Sequence, residues 1–188
     1  IPPKGTFNLH ASLLPNYRGA APINWAIINN ENTTGATTFY IDDKIDTGAI
    51  LLKEELVIQP NETVGSLHDK LAPLGANLIL KTLDYIATNP TPKPQLLTGD
   101  EKEAPKLTKE NTKIDWKHSL KYIDGLVRGL NPYPVAWLEI QNGESILKAK
   151  IFKATPSFEK HNFEIGKILI DDKKIKIAHK EGMLIVEE

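Results

Sequence analysis

The first part of the chain contains short runs in which apolar and β-branched residues alternate with polar ones. Residues 5–15 have the pattern of a strand that gives way to a loop at Ser12–Pro15. Residues 35–41 and 49–58 are two further β-rich runs, separated by the acidic turn at 42–48. Such runs around a turn predict neighbouring strands.

Leucines at helical spacing predict a long helix after these strands. Its apolar face is predicted to comprise Leu67, Leu71, Leu74, Leu78, Leu83 and Ile86. Residues three or four apart share one side of a helix, so these side chains would form one apolar face. Pro73 falls inside the segment and predicts a kink or a break. A shorter helix is predicted from Pro22 to Asn30.

The second part of the chain has a different composition. Residues 89–111 contain four prolines, many charges and few apolar groups, which is typical of an extended linker. An amphipathic helix capped by Ser119 follows, and then five β-like runs, with a hairpin signal at Asn142–Gly143. The pattern predicts an α/β region at 1–91, a linker at 92–110 and a small all-β, OB-like barrel at 111–188.

Composition excludes several classes of protein. The chain has 188 residues, of which 40% are hydrophobic and 25% are charged, as in ordinary globular proteins. It lacks an apolar run of the roughly 20 residues that a membrane span needs. Cysteine is absent, which rules out disulfides and agrees with a cytoplasmic location. The net charge of -1 combines an acidic first half with a lysine-rich second half, which permits a polyanionic partner.

Three polar residues recur at every second position of the first predicted strand. Asn8, His10 and Ser12 would therefore project from one face. An amide can donate to a developing oxyanion, and an imidazole can move a proton near neutral pH. The acidic turn supplies three carboxylates that could orient the imidazole: Asp42, Asp43 and Asp46. An amide, an imidazole and a carboxylate suit direct acyl transfer between two bound substrates.

Each of these residues also has an ordinary structural interpretation. Asn-X-His in a strand is more often a hydrogen-bonded pair than a site, and Asp46 before Thr-Gly is a common turn residue. The remaining histidines, interpreted as solvated, are His68, His118, His161 and His179. Histidines and carboxylates do not occur at metal-ligand spacing, so no metal is expected.

Several stretches together resemble the formyltransferases that use 10-formyltetrahydrofolate. They are NLHASLLPNYRGAAPINWAI, TGATTFYIDDKIDTGAIL and LHDKLAPLGANLIL. Downstream, APKLTKENTKIDW and RGLNPYPVAWLEI resemble the linker and C-terminal domain of the family members that act on methionyl-tRNA. The resemblance implies the C-terminal half of a Rossmann-like domain, lacking roughly 100 residues that build the first half of the sheet. We therefore expect a fragment with little or no activity alone, and a truncated C-terminal domain.

The resemblance also implies roles for individual residues. Asn8, His10 and Asp46 match the catalytic trio of the family. The tetrahydrofolate-binding residues would be Ser12, Leu13, Leu14 and Pro15, with Asp42 beside the pterin. The candidates for contacts with tRNA phosphates are Lys106, Lys109 and Arg128. The implied reaction is transfer of the formyl group to the α-amine of initiator methionyl-tRNA, a step of translation initiation.

Other functions stay open from sequence alone. Members of the same family formylate a sugar-nucleotide amine or glycinamide ribonucleotide, or hydrolyse formyl-folate. A non-enzymatic alternative is an inactive fragment that binds tRNA through the linker and the barrel. The acceptor that is formylated would separate the enzymes, and binding without transfer would favour the module.

Overall fold

The computed structural model describes residues 2–171 and 174–188, and their contacts define two units. The first unit comprises Ile1–Ala26, Glu31–Glu62 and Ser66–Lys106, and the second comprises Ile27–Asn30, Thr63–Gly65 and Leu107–Glu188. Elements up to residue 104 are β1 Phe7–His10, β2 Arg18–Gly19, α1 Pro22–Ile28, β3 Thr33–Tyr40, β4 Ile50–Val57, α2 Val64–Ala87 and β5 Glu103–Ala104.

A three-stranded antiparallel sheet organises the first unit. Its order is β1-β3-β4, so the strands predicted on either side of the acidic turn are neighbours, as expected. The central strand β3 is buried from Thr34 to Phe39, and its hydroxyls are therefore hydrogen-bonded. Thr37 Oγ1 donates to Ser12 O at 2.7 Å and accepts from Leu14 N at 3.2 Å. These bonds fix the loop that follows β1.

Helix α2 is continuous, so the break, one of the two outcomes predicted at Pro73, does not occur, and the kink stays a prediction. Pro73 lies on the exposed side, where water can satisfy the carbonyl that loses its N–H partner. The buried stripe includes Leu67 and continues through Thr82 and Ile86. Leu83 is 51% exposed, so its place on the apolar face was predicted wrongly. One helical position away from Thr82, its side chain points about 100° off the stripe.

The proline-rich segment after α2 is extended but lies against the first unit. Lys93 exchanges two backbone hydrogen bonds with Ile50, of 2.7 and 2.9 Å. Strand β5 pairs in parallel with β2, and Ala104 is fully buried. Backbone hydrogen bonds hold this segment, and they leave no apolar pattern in the sequence. For that reason the composition indicated a linker. The predicted boundaries at 91 and 110 stay predictions.

In the second unit, the described residues after 107 form a helix and two sheets. Its remaining elements are α3 Leu120–Gly129, β6 Ala136–Asn142, β7 Ser145–Ile151, β8 Ala154–Ser157, β9 Ile168–Asp171, β10 Lys174–His179 and β11 Gly182–Val186. Ser119 caps α3 by accepting from Tyr122 N, as predicted. Strands β6 and β7 form the predicted hairpin, and the other four have the order β8-β11-β10-β9. Within the described residues no sheet closes, so the OB-like barrel is not confirmed.

One strand and one histidine of the second unit differ from expectation. The predicted run at 146–154 is two strands, since Phe152 and Lys153 turn the chain and donate to Glu188 O. His179, interpreted as solvated, is fully buried. Its Nε2 donates to His118 O at 2.9 Å and its Nδ1 accepts from Glu181 N at 3.2 Å. A neutral ring satisfies both contacts, so His179 is a core residue of this unit.

Candidate active site

His10 ends β1 with its ring enclosed by two acceptors. The side chain is 7% exposed. Nε2 is 2.7 Å from Tyr17 O, and because a carbonyl can only accept, Nε2 carries a proton. Nδ1 is 3.5 Å from Asp46 Oδ2, an ion-pair contact at the long limit of a hydrogen bond. Each ring nitrogen of His10 therefore faces an oxygen that can accept a hydrogen bond.

Asp46 is held in place by the main chain. Its side chain is 13% exposed, and Oδ2 accepts from Gly19 N at 2.9 Å. Its φ of 53° lies in the left-handed region, which few residues other than glycine adopt but aspartate tolerates better than most, and it marks a sharp turn. Gly48 completes the turn, since a Cβ there would lie 1.6 Å from Tyr40 O. The acidic turn, which follows β3, therefore places the carboxylate of Asp46 beside the ring of His10.

Asn8 precedes His10 by two residues in β1, so both side chains leave the same face of the strand. The two residues lie opposite Phe39 and Thr37 of β3, respectively. Asn8 is exposed, whereas His10 is buried. The amide of Asn8 is thus accessible to a bound molecule beside the enclosed imidazole.

The loop predicted to bind tetrahydrofolate alternates between internal and accessible residues. Ser12 and Leu14 are fully buried, and Ser12 Oγ donates to Asn16 O at 2.7 Å. Leu13 and Pro15 are half-buried and line two different cavities, of about 190 and 670 Å³. Ser12 and Leu14 thus support the loop, while Leu13 and Pro15 can contact a ligand.

Asp42 shapes the turn that carries Asp46. Its carboxylate accepts from Thr47 Oγ1 at 2.7 Å and from Lys44 N at 3.1 Å. The hydrogen bond from Thr47, followed by that from Lys44 N, lowers the pKa of Asp42 below its ordinary value. The exposed Asp42 is therefore ionised at neutral pH and already bonded within its own turn.

The three candidates for phosphate contacts have unlike surroundings. Lys106 is exposed in the first unit, on the 670 Å³ cavity that Pro15 also lines. Lys109 is exposed in the second unit, with Nζ 5.8 Å from the centre of the Trp137 ring. Arg128 donates to Asp124 at 2.9 Å and to Asn30 at 2.8 Å. A phosphate contact by Arg128 would compete with these internal bonds.

Sequence reasoning missed the groups that hold the histidine–aspartate pair. They are Tyr17 O, Gly19 N and the side chain of Gln95. Two are backbone groups, which have no signature in sequence, and Gln95 lies in the stretch interpreted as a linker. Among the described residues, no cluster of three or more histidines or acidic side chains could hold a metal ion. Within the same residues, every helix is too short or too polar to cross a membrane.

Comparison with known proteins assigns the chain to a family. Residues 1–83 match the family described as formyl transferase, and residues 106–188 match the formyl transferase C-terminal domain. The chain therefore belongs to the formyl transferase family.

Curated relatives within this family share a name. The chain is 52% identical over 185 residues to methionyl-tRNA formyltransferase of Flavobacterium johnsoniae. This match covers 98% of this chain and 59% of the relative. It is 44% identical over 194 residues to the Bacteroides thetaiotaomicron protein of that name, covering 99% and 60%. The chain thus spans about three fifths of the length of these relatives.

Solved structures with a similar fold are more distant in sequence. An N-formyltransferase from Helicobacter canadensis, in complex with folinic acid and dTDP-3-aminofucose, superposes with a TM-score of 0.72 at 24% identity. The match covers 96% of this chain and 65% of that one. HypX from Aquifex aeolicus, in complex with tetrahydrofolic acid, gives a TM-score of 0.69 at 20% identity, covering 96% and 31%. At these identities the likeness concerns the fold.

Proposed function

We propose that the whole protein transfers a formyl group from 10-formyltetrahydrofolate to the α-amine of initiator methionyl-tRNA. The observation that carries the proposal is the enclosed His10–Asp46 pair beside the accessible amide of Asn8. The 52% identity to a methionyl-tRNA formyltransferase supports this acceptor over a sugar-nucleotide amine. Leu13 and Pro15 are the proposed contacts with the folate, and Asp42 lies in the loop proposed to border the pterin.

The proposed mechanism needs no covalent enzyme intermediate. The amine of the methionyl group attacks the formyl carbon, the bond from that carbon to the folate nitrogen breaks, and a new amide forms. Asn8 donates to the oxygen that becomes negative, and the imidazolium of His10 adds positive charge beside it. Asp46 balances that charge, while the proton lost by the amine passes to the leaving folate nitrogen. Because His10 Nε2 already donates to Tyr17 O, a direct hydrogen bond from Nε2 to the oxyanion requires the Tyr17 carbonyl to move.

A positive surface on the second unit supports RNA as the partner. We define the Trp137 surface as the indole with the three ammonium groups around it. The distances from the ring centre to Nζ are 5.8 Å for Lys109, 5.2 Å for Lys113 and 5.4 Å for Lys148. Glu139 pairs with Lys113 at 2.6 Å, which leaves a net positive charge on this surface. Phosphates bind such sites and release counterions.

We therefore propose that this unit, predicted to be an OB-like domain, is the tRNA-binding part. On the β6–β7 hairpin, Lys150 lies opposite Trp137 and adds a further positive charge beside the Trp137 surface. An aromatic ring among cations is also suited to stacking with an unpaired base.

Neutralising one lysine of the Trp137 surface is expected to weaken RNA binding. Lys148→Gln in the 188-residue chain should raise the Kd for an initiator tRNA transcript about threefold to tenfold, and lower the salt slope by about one. Fluorescence anisotropy across a range of salt concentrations measures both. Lys167→Gln is the matched control, because Lys167 is an exposed lysine of the same unit and is not one of the three whose ammonium groups define the Trp137 surface. Equal effects of the two substitutions would contradict a defined surface.

A chimera tests the proposed reaction. The F. johnsoniae relative would carry this chain in place of its 185 matched residues. With 10-formyltetrahydrofolate as donor, we expect it to formylate initiator methionyl-tRNA and not a dTDP-amino sugar. Formylation of the sugar instead would assign the alternative acceptor. Binding of tRNA by the chain, together with an inactive chimera, would favour the RNA-binding module.

A further inference from the structure

The side chain of Gln95 makes four hydrogen bonds that join two loops of the candidate active site. Its Nε2 donates to Asp46 O at 2.8 Å and to Gly48 O at 2.9 Å. Its Oε1 accepts from Arg18 Nε at 3.2 Å and from Arg18 Nη2 at 2.6 Å. Gln95 is half-buried, so these bonds are shielded in part from water.

The two loops are those that enclose His10. Arg18 lies between Tyr17, whose carbonyl accepts from His10 Nε2, and Gly19, whose N–H holds Asp46 Oδ2. The Nε2 group of Gln95 donates to the backbone carbonyl of Asp46 itself. One side chain therefore ties together the chain segments on both sides of the imidazole.

The chemistry of this position requires an amide. Two carbonyl oxygens demand a donor with two hydrogens, and a guanidinium demands an acceptor beside it. A carboxylate would serve Arg18 but would repel the carbonyls of Asp46 and Gly48. A lysine or an apolar residue would lose the bond to Arg18. Glutamine meets both demands with a side chain long enough to reach both loops.

The segment that carries Gln95 is itself fixed at both ends. Lys93 pairs with Ile50 at the start of β4, and Ala104 in β5 pairs with Gly19 in β2. The backbone thereby brings Gln95 to a defined place beside Asp46. A side chain on such a supported segment can hold a site residue at a fixed distance.

We propose that Gln95 is a positioning residue that sets the contact between His10 and Asp46. The catalytic meaning of this assignment rests on the proposed formyl transfer, whereas its structural part does not. Gln95 touches neither ring nitrogen of His10 in the contacts above, so its effect passes through the two loops.

Hydrogen exchange in the 188-residue chain tests the structural part. Gln95→Met keeps the length of the side chain and removes all four bonds, and Gln95→Glu keeps the acceptor for Arg18. Both should speed exchange of the Gly19 amide about tenfold or more, and weaken the ¹H–¹⁵N signal of His10 Nε2 through exchange with water. Amides of β3 report whether the fold persists. Gln141→Met, at a glutamine that donates to Gly143 O in the second unit, is the control.

Kinetics in the chimera test the catalytic part. Misplacement of a reacting group lowers kcat rather than substrate binding, so both variants should lose about 10–100-fold in kcat with KM changed less than about threefold. Unchanged Gly19 exchange and an unchanged His10 signal would overturn the inference whatever the activity. An unchanged kcat would also overturn it, provided that His10→Ala is inactive. If His10→Ala is fully active as well, it is the proposed role of the pair in transfer that fails.

Discussion

Replacing His10 by alanine is expected to lower kcat of the chimera by about 10²–10⁴-fold, the usual contribution of a positioned acid–base group. The substitution removes the imidazole that lies between Asp46 and Tyr17 O, and with it the positive charge that the proposed mechanism uses to offset the developing oxyanion. Single-turnover formylation of initiator methionyl-tRNA measures this directly, because it isolates the chemical step from release of the product.

Two comparisons separate chemistry from folding in that experiment. His10→Gln retains an amide N–H that can reach Tyr17 O but cannot carry a positive charge, so it should lose nearly as much activity as His10→Ala. His68→Ala should behave as the unsubstituted chimera, since His68 is 65% exposed. Full activity of both His10 variants would show that the imidazole takes no part in transfer.

Replacing Leu67 by alanine is expected to destabilise the first unit by about 2–5 kcal/mol, through lost burial and a residual cavity. Leu67 is fully buried in the first turns of α2, so the neighbouring side chains would have to collapse into the space. Urea unfolding of the 188-residue chain, followed by far-UV circular dichroism, gives the change in the free energy of unfolding.

Leu83→Ala on the same helix is the matched control. It makes the same chemical change at a side chain that is 51% exposed, so we expect a loss below about 1 kcal/mol. Equal losses for Leu67 and Leu83 would mean that the buried face of α2 has been assigned incorrectly.

Local patterns predicted β1, β3, β4, α1 and α2, whereas the two-residue strands β2 and β5 were not predicted because they are too short to show a period. The alternation in β1 placed Asn8 and His10 on one face, and the acidic turn supplied three candidate carboxylates, among which the family resemblance selected Asp46. The error at Leu83 has a physical cause. Apolar residues that extend a helical pattern by one position can rotate out of the buried stripe, and only packing decides which ones do.

Contacts between distant segments were beyond the reach of these patterns. Gln95 bonds to Asp46, which lies far from it in sequence, through backbone atoms that any residue type would present. The buried His179 was misread for a similar reason, since its partners are His118 O and Glu181 N. Closure of the second unit into a barrel depends on strand register, which alternation alone does not specify.

The use of Tyr17 O and Gly19 N around His10 bears on how freely this site can vary in evolution. Main-chain atoms are present whatever the side chain, so the contact with His10 Nε2 uses no side-chain atom of residue 17, although the φ of 62° at Tyr17 disfavours proline and β-branched residues there. Position 19 is more restricted, because its φ is 122° and a Cβ would lie 2.5 Å from Ala104 O. We therefore expect selection for the histidine–aspartate pair to keep glycine at position 19, although Gly19 contributes only its backbone N–H to the pair.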